Sequence, residues 1–308
     1  MTSIVIPAHN EGRVIGRLLD ALLAEAPADP SARASGAEET DIVVVCNGCT
    51  DDTARVAGAR GPRVRVVEIP TPSKHTALRV GDEHARGFPR LYVDADVVVG
   101  AADVRELAAA LAGSPDLLAA APGREVPLTG CAWPVRAYYR VWQRLPAVRE
   151  GLFGRGVIAV SEPGHARIAA LPPLMADDLA ASLAFGPGER RVVESARVVV
   201  HPPRTWSDLV KRRIRAASSS AEVEHYQASR PVGGPGVPDG PGGPESLSVP
   251  SARTSTADLR ALLRAQPRLL PGVVVFVVAA LAARRGSRKA IRNRDFSTWL
   301  RDESSRQG

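Results

Sequence analysis

Apolar positions in this chain follow two alternating rhythms. Short β-branched runs at residues 4–6, 42–45, 64–69 and 91–93 have the length and composition of buried strands. Between them, residues 13–26 carry Val14, Ile15, Leu18, Leu19, Leu22 and Leu23 at helical spacing, and 74–85 and 104–111 read as further helices. Strands alternating with helices predict βαβ units, hence an α/β fold with a mostly parallel central sheet flanked by helices. Residues 117–121 predict another strand, 133–149 a mixed aromatic and basic helix, and 151–161 a glycine-rich loop running into a strand. Residues 172–182 enter a short helix, 191–200 read as two short strands, 206–220 as a strongly basic helix and 256–265 as a helix. Residues 27–40 and 229–252 have loop composition, the latter rich in Pro, Gly and Ser.

The polar residues at strand ends carry the chemistry. Ligands of parallel α/β sheets gather beyond the carboxyl ends of the strands. Ala8-His9-Asn10-Glu11-Gly12 follows the first strand. Cys46-Asn47-Gly48-Cys49-Thr50-Asp51-Asp52-Thr53 follows the second, with a turn at Asn-Gly and Thr50 or Asp51 as the cap of the next helix. Asp94-Ala95-Asp96 follows the fourth, so Asn10, Asn47 and Asp94 should converge. If the backbone stays extended, Asp94 and Asp96 project from one face. Two neighbouring carboxylates repel unless a cation sits near them. Mg²⁺ or Mn²⁺ takes such oxygens and shares them with substrate phosphate. Alone, an Asp-x-Asp reads more readily as a polar strand terminus turning into a loop; the motifs elsewhere in the chain turn the balance.

Composition narrows the partners. At 308 residues with 44% hydrophobic content, the chain can bury one large α/β core or two small ones. A net charge of +7 suits anionic partners such as nucleotides, diphosphates or anionic lipid. The basic residues form no recognisable nucleic-acid module, so nucleic acid is not expected as a partner. Cys46, Cys49 and Cys131 make no disulfide framework, and no second ligand pair completes a zinc site. Met1 leads at once into the first strand, without the basic and apolar regions of a signal peptide, so the cytoplasmic side is the default expectation. Residues 269–283 are the most apolar stretch, about 15 residues against the ~20 that span a bilayer. Arginines flank it, so it reads either as a helix packed on the α/β domain or as an interfacial element at the inner face of the membrane.

Taken in order, the segments Ile4-Val-Ile-Pro-Ala-His-Asn-Glu-Gly12, Val43-Val-Val-Cys-Asn-Gly-Cys-Thr-Asp-Asp-Thr53, Lys74 before a helix, Val93-Asp-Ala-Asp96 and Ala176-Asp-Asp-Leu179 resemble glycosyltransferase family 2, of the GT-A fold. The resemblance covers about residues 2–215 and rests on five motifs in order rather than on any one. It implies a GT-A domain at 1–227, a flexible loop at 228–254, and a basic helical extension at 255–308. The implied reaction transfers a sugar, with inversion, from a nucleoside-diphosphate sugar to an acceptor hydroxyl. The acceptor class stays open among lipid-linked, polysaccharide and small-molecule hydroxyls. A divalent Mn²⁺ or Mg²⁺ at Asp96, helped by Asp94, would neutralise charge growing on the departing diphosphate. Pro7, His9, Asn10, Glu11, Asn47, Asp51, Lys74, Asp94 and Ala95 are the implied donor-binding residues. Asp178, ahead of Asp177, is the implied base for the acceptor proton. Arg204, Trp206, Arg212, Arg213 and Arg215 are the implied grip on the diphosphate or on an anionic acceptor.

The sequence departs from the family at Cys46-Asn47, where an acidic pair is usual. An Asn amide both donates and accepts, so it can still read a pyrimidine imide edge, but the uridine preference is open. Two rivals remain: a non-catalytic nucleotide-sugar or lipid-binding protein, and a nucleotidyltransferase. The second should open with a glycine-rich phosphate loop, where this chain has Pro7-Ala-His-Asn-Glu-Gly12.

Overall fold

The computed structural model describes residues 1–24, 40–171, 177–229 and 254–292. The chain divides into two compact units. The first comprises Met1–Val126, Gly154–Ala169 and Ala184–His201; the second comprises Pro127–Phe153, Ala170–Leu183 and Pro202–Gly308.

The first unit holds one eight-stranded sheet. Its strands are β1 (Thr2–Ala8), β2 (Thr40–Asn47), β3 (Val64–Ile69), β4 (Arg90–Val93), β5 (Val97–Val99), β6 (Ala119–Glu125), β7 (Val157–Val160) and β8 (Arg190–Val200). The spatial order is β3-β2-β1-β4-β7-β6-β8-β5. From β3 to β4 every pairing is parallel, with Ile4 opposite Ile42 and Leu91. Beyond β4 the sheet is mixed: β7 runs antiparallel to β4 and β6, β8 parallel to β6, and β5 antiparallel to β8.

The helices of this unit are α1 (Ile15–Leu23), α2 (Thr53–Gly58), α3 (Lys74–His84), α4 (Ala101–Ala112) and α7 (Glu162–Ala169). Successive strand residues point to opposite faces. Ile4, Ile6, Ile42 and Val44 pack with Ile15, Leu18 and Leu19 of α1 and Leu107 of α4. Val43 and Val45 pack on the other face with Ala77 and Val80 of α3. Burial on both faces makes these strands unbroken apolar runs.

Two expectations change here. The single strand β8 replaces two short ones. Its register with β6 shifts after Pro122↔Val193 to Gly123↔Arg197, so the polar Glu194-Ser195 bulges out of one continuous strand. The backbone at 94–96 does not stay extended. β4 stops at Val93, the Val97 amide donates to the Asp94 carbonyl at 3.4 Å, and β5 pairs with β8 instead.

The second unit is helical: α5 (Trp133–Trp142), α6 (Pro146–Glu150), α8 (Asp177–Leu183), α9 (Trp206–Ser229), α10 (Thr256–Ala265), a 3₁₀ turn (Pro267–Leu269) and α11 (Leu270–Arg292). The helix expected over 133–149 is split, because the residue before Pro146 is pushed out of helical conformation. α11 packs on α5 and α9. Phe276 stacks on Tyr138 at 5.1 Å, and Gly272 lets the helices close in, since a Cβ there would stand 3.0 Å from the Ala137 carbonyl oxygen. The apolar stretch is longer than expected. Pro267–Ser287, 21 residues, is long and apolar enough to cross a membrane by length and composition. Arginine is a good helix former, so the helix runs on through Arg284 and Arg285. Residues 27–39 and 230–253, expected as loops, lie outside the described residues.

Candidate active site

The parallel half of the sheet brings its loops together at the carboxyl edge. Pro7 lies beyond the last β1–β4 pair, Val5↔Tyr92, where no ladder bond to β4 is required of its nitrogen. The His9 imidazole contacts the Asn47 carbonyl at 2.6 Å through Nδ1. A carbonyl only accepts, so Nδ1 carries the proton. Asn10 adopts φ 52°, a left-handed conformation that Asn tolerates better than most residues. Its Oδ1 accepts from the Thr50 amide at 2.7 Å and its own amide donates to Cys49 Sγ at 3.4 Å. The amide of buried Glu11 donates to Thr53 Oγ1 at 2.8 Å.

Asn47 is only 4% exposed, and its amide is occupied by backbone. Nδ2 donates to the Ala8 carbonyl at 2.8 Å and Oδ1 accepts from the Ser73 amide at 3.1 Å. Through these two bonds Asn47 ties β1, β2 and the start of α3 together. Asp51 acts in the same way. Its carboxylate accepts from the Gly12 amide at 3.0 Å and the Thr53 amide at 3.1 Å, just ahead of α2. The cap position proper is Asp52, one residue beyond Asp51 and two beyond Thr50, the expected caps.

Cys46 and Cys49 lie side by side. Burial pushes the Cys46 thiol up to about 12, with Cys49 adding to the rise. Such a thiol stays protonated and is inert as a nucleophile or metal ligand. Among the described residues no group of three or more His, Cys, Asp or Glu gathers at one point.

The turn after β4 differs in character. Asp94 and Asp96 are half-buried, while Ala95 between them sits in the core. Lys74, the first residue of α3, places Nζ 2.7 Å from Asp94 Oδ1, with the two side chains 31% and 38% exposed. Ser73 caps α3 by accepting from the Thr76 amide at 3.2 Å. The same Ser73 is held by Asn47, so a chain of bonds runs from the β1 loop through Asn47, Ser73 and Lys74 to Asp94.

Asp94 is fixed from below by the loop Gly154-Arg155-Gly156, which is not among the expected site residues. Its amide donates to the Gly156 carbonyl at 2.8 Å. Gly156 has φ +66°, and a Cβ there would stand 2.5 Å from Val97 Cγ1 and 3.3 Å from Asp94 Oδ2. Arg155, 3% exposed, anchors the loop by donating from Nη1 to the Pro122 carbonyl at 2.9 Å. Burial lowers its guanidinium to about 10, opposed by the charge of Glu194. The available signal was the Gly-Arg-Gly triplet just before a strand.

The remaining expected residues belong to the second unit. Asp177 and Asp178 open α8, and their side chains lie outside the described set. Farther along α8, Ser182 Oγ accepts from the Leu152 amide at 3.1 Å. Arg204 is exposed and its carbonyl accepts from the Ala132 amide at 2.9 Å, while Trp206 begins α9. Arg212, Arg213 and Arg215 are half-buried along α9, and the Arg213 guanidinium lies 6.0 Å from the Tyr138 ring centre. Part of the basic run is therefore packing.

Residues 3–160, just over half of the chain, match the family model described as glycosyl transferase family 2. The chain belongs to this family. The family-2 match contains the strand-end residues from Pro7 to Asp96 and the Gly154–Gly156 loop, whereas Asp177, Asp178 and the basic helix lie beyond it. Uncharacterized glycosyltransferases of Mycobacterium bovis and Mycobacterium tuberculosis are 36% identical over 132 residues, 43% of this chain and 52% of theirs. The chain thus spans about half the length of the curated relatives it matches. Among solved structures, the mannosyltransferase PcManGT of Pyrobaculum calidifontis, in complex with GDP-Man and Mn²⁺, is similar with a TM-score of 0.63 at 18% identity, over 93% of this chain and 86% of that one. Glucosyl-3-phosphoglycerate synthase of Mycobacterium tuberculosis, with Mn²⁺, UDP-Glc and phosphoglyceric acid, gives 0.53 at 19%, over 76% and 82%. At these identities the likeness speaks for the fold, which is the expected GT-A type.

Proposed function

We propose that this protein is an inverting glycosyltransferase that moves a sugar from a nucleoside-diphosphate sugar to an acceptor hydroxyl, assisted by Mn²⁺ or Mg²⁺. The observation that carries the reading is the turn after β4. Two half-exposed carboxylates, Asp94 and Asp96, stand two residues apart in the turn beyond the carboxyl end of β4, and Asp94 already draws a cation, Lys74. That donor set fits a hard divalent ion. Two protein carboxylates leave most of its shell to diphosphate oxygens and water, the usual arrangement for Mg²⁺. When bound, such an ion supplies Lewis-acid neutralisation of the leaving diphosphate.

The chain's own residues do the rest. Lys74 sits at the first turn of α3, where its ammonium and the helix N-terminus both favour phosphate. Its part-exposed bond to Asp94 is a weak tie, so Nζ can turn to a phosphate oxygen as the donor arrives. Asn47 keeps that turn in place through Ser73. Asp178 is the proposed base, with Asp177 as its neighbour. It takes the acceptor hydroxyl's proton as the oxygen bonds to the anomeric carbon and the bond to diphosphate breaks. A single displacement of this kind inverts that carbon. Arg204, Trp206, Arg212, Arg213 and Arg215 are proposed to line the route of the diphosphate or an anionic acceptor. The structures bound to GDP-Man and UDP-Glc support the donor class and, since their bases differ, favour neither base for this chain.

The test is turnover of GDP-Man and UDP-Glc, followed as nucleoside diphosphate release, in Mn²⁺ and in chelator, with the product anomer read by NMR. One donor should turn over in Mn²⁺, fall to background in chelator and yield the opposite anomer. Equal turnover in chelator, or a retained anomer, contradicts the proposal.

A further inference from the structure

α11 has two faces of different fate. Gly272, Val273, Phe276, Ala279 and Ala283 are buried against α5 and α9. On the other side Leu270, Val274, Val277, Val278 and Leu281 are 56, 54, 39, 49 and 48% exposed. At ~100° per residue those five positions fall within about 100° of arc, and the exposed Arg284 and Arg285 extend the same face at its end. From Leu270 to Leu281 the apolar face runs about 16 Å along the axis. Single exposed aliphatic residues are ordinary on a protein surface; a continuous helical face of them marks an interaction site. The preceding α10 has no buried residue, and its Leu259, Leu262 and Leu263 are half-exposed at helical spacing.

We infer that α11, continued by α10, docks on the surface of a lipid bilayer carrying anionic headgroups, lying in the interface rather than crossing it. Charge selects this occupant. Residues 267–292 contain Arg268, Arg284, Arg285, Arg288, Lys289 and Arg292 and no Asp or Glu. A helix with one apolar face and only cationic charge complements acyl chains below and anionic headgroups beside them. Long arginine side chains can reach the headgroups while the helix lies flat. A second copy of the helix complements it poorly. In an antiparallel pair Arg284 and Arg285 meet Arg268, and in a parallel pair they meet each other. Crossing is opposed by the buried face: α5 and α9 carry Arg136, Arg140, Lys211, Arg212 and Arg213, which would enter hydrocarbon with it.

The test floats the full chain with vesicles of phosphatidylcholine alone and of phosphatidylcholine with an equal part of phosphatidylglycerol. Three proteins are compared: wild type, Val274→Asp/Val278→Asp and Arg284→Ala/Arg285→Ala. The substituted side chains are exposed, so all three should melt alike. Wild type should float with the anionic vesicles, not with neutral ones, and be released by high salt. The aspartate pair should fall to background. The arginine pair should lose partitioning by about fivefold per charge, roughly twenty-five-fold together. Four results overturn the inference. Wild type does not float with anionic vesicles. The variants float like wild type. The protein resists a carbonate wash, as a crossing helix would. Lipid-free sedimentation shows a dimer that Val274→Asp/Val278→Asp dissolves.

Discussion

The loops after β1 and β2 and the turn after β4 sit at the same edge of one sheet, and both are dense in polar side chains. Their side chains do different work. In the first region Asn47 and Asp51 are taken up by backbone amides and carbonyls of neighbouring loops. In the second, Asp94 and Asp96 keep surface toward solvent, and Lys74 answers Asp94 across a part-exposed bond. The first region has the bonding of a scaffold, and the second is the proposed reagent. Substitution in the scaffold should cost stability and activity together; substitution in the reagent should cost activity almost alone.

The largest expected effect is at the proposed base. Asp178→Asn preserves shape and removes the proton acceptor, so kcat should fall by about 10²–10⁴ while donor affinity holds. Wild-type turnover in both Asp177→Asn and Asp178→Asn would move the base elsewhere. Asp96→Asn should lower kcat/KM by about a hundredfold or more, since charge stabilisation on the leaving group is worth several kcal/mol. Its melting temperature should stay near wild type, because a half-exposed side chain contributes within about 0.5 kcal/mol. A matching stability loss would erase the distinction between the regions.

Asn47→Ala should show the opposite profile. It leaves the Ser73 amide and the Ala8 carbonyl without their partner, at about 1–3 kcal/mol each when buried, and should lower urea midpoint and turnover together. Gly156→Ala tests the joint between the regions. The left-handed backbone and the contact with Val97 should cost about 1–3 kcal/mol and shift Asp94, lowering activity further than stability alone explains.

The smallest effect is a control remote from both. Glu189 is held below its usual range, chiefly by its hydrogen bond from Arg167. A depressed carboxylate stabilises the fold above its unfolded value near 4.5, and that contribution is lost as pH falls through the folded value. Glu189→Gln should therefore melt slightly lower than wild type at neutral pH, by less than about 1 kcal/mol, and the gap should close in acid. Turnover per folded molecule should not change.

The four parallel strands and the helices between them were legible because burial on both faces writes unbroken apolar runs. β8 was not, because the bulge at Glu194-Ser195 interrupts the run without ending the strand. The placement of Asp94 and Asp96 beyond a strand end was legible for the same reason as the strands. Their turn was not, since the apolar run resumes at Val97 although its partner strand has changed to β8. The role of Asn47 depended on a partner 26 residues away, which spacing along the chain does not encode. The Gly154-Arg155-Gly156 triplet marks a turn before a strand but not its target, because the contact with Asp94 arises only when β7 lies beside β4.

The most direct measurement is calorimetric titration of GDP and of UDP into wild type and Asp96→Asn, each with Mn²⁺ and with chelator. Wild type should bind one nucleotide more tightly in Mn²⁺ by at least about tenfold, or 1.4 kcal/mol. Asp96→Asn, melting like wild type, should lose that difference. Equal affinity with and without Mn²⁺ in wild type, or a metal effect that survives Asp96→Asn, would contradict the account of the turn after β4 as the metal and diphosphate site.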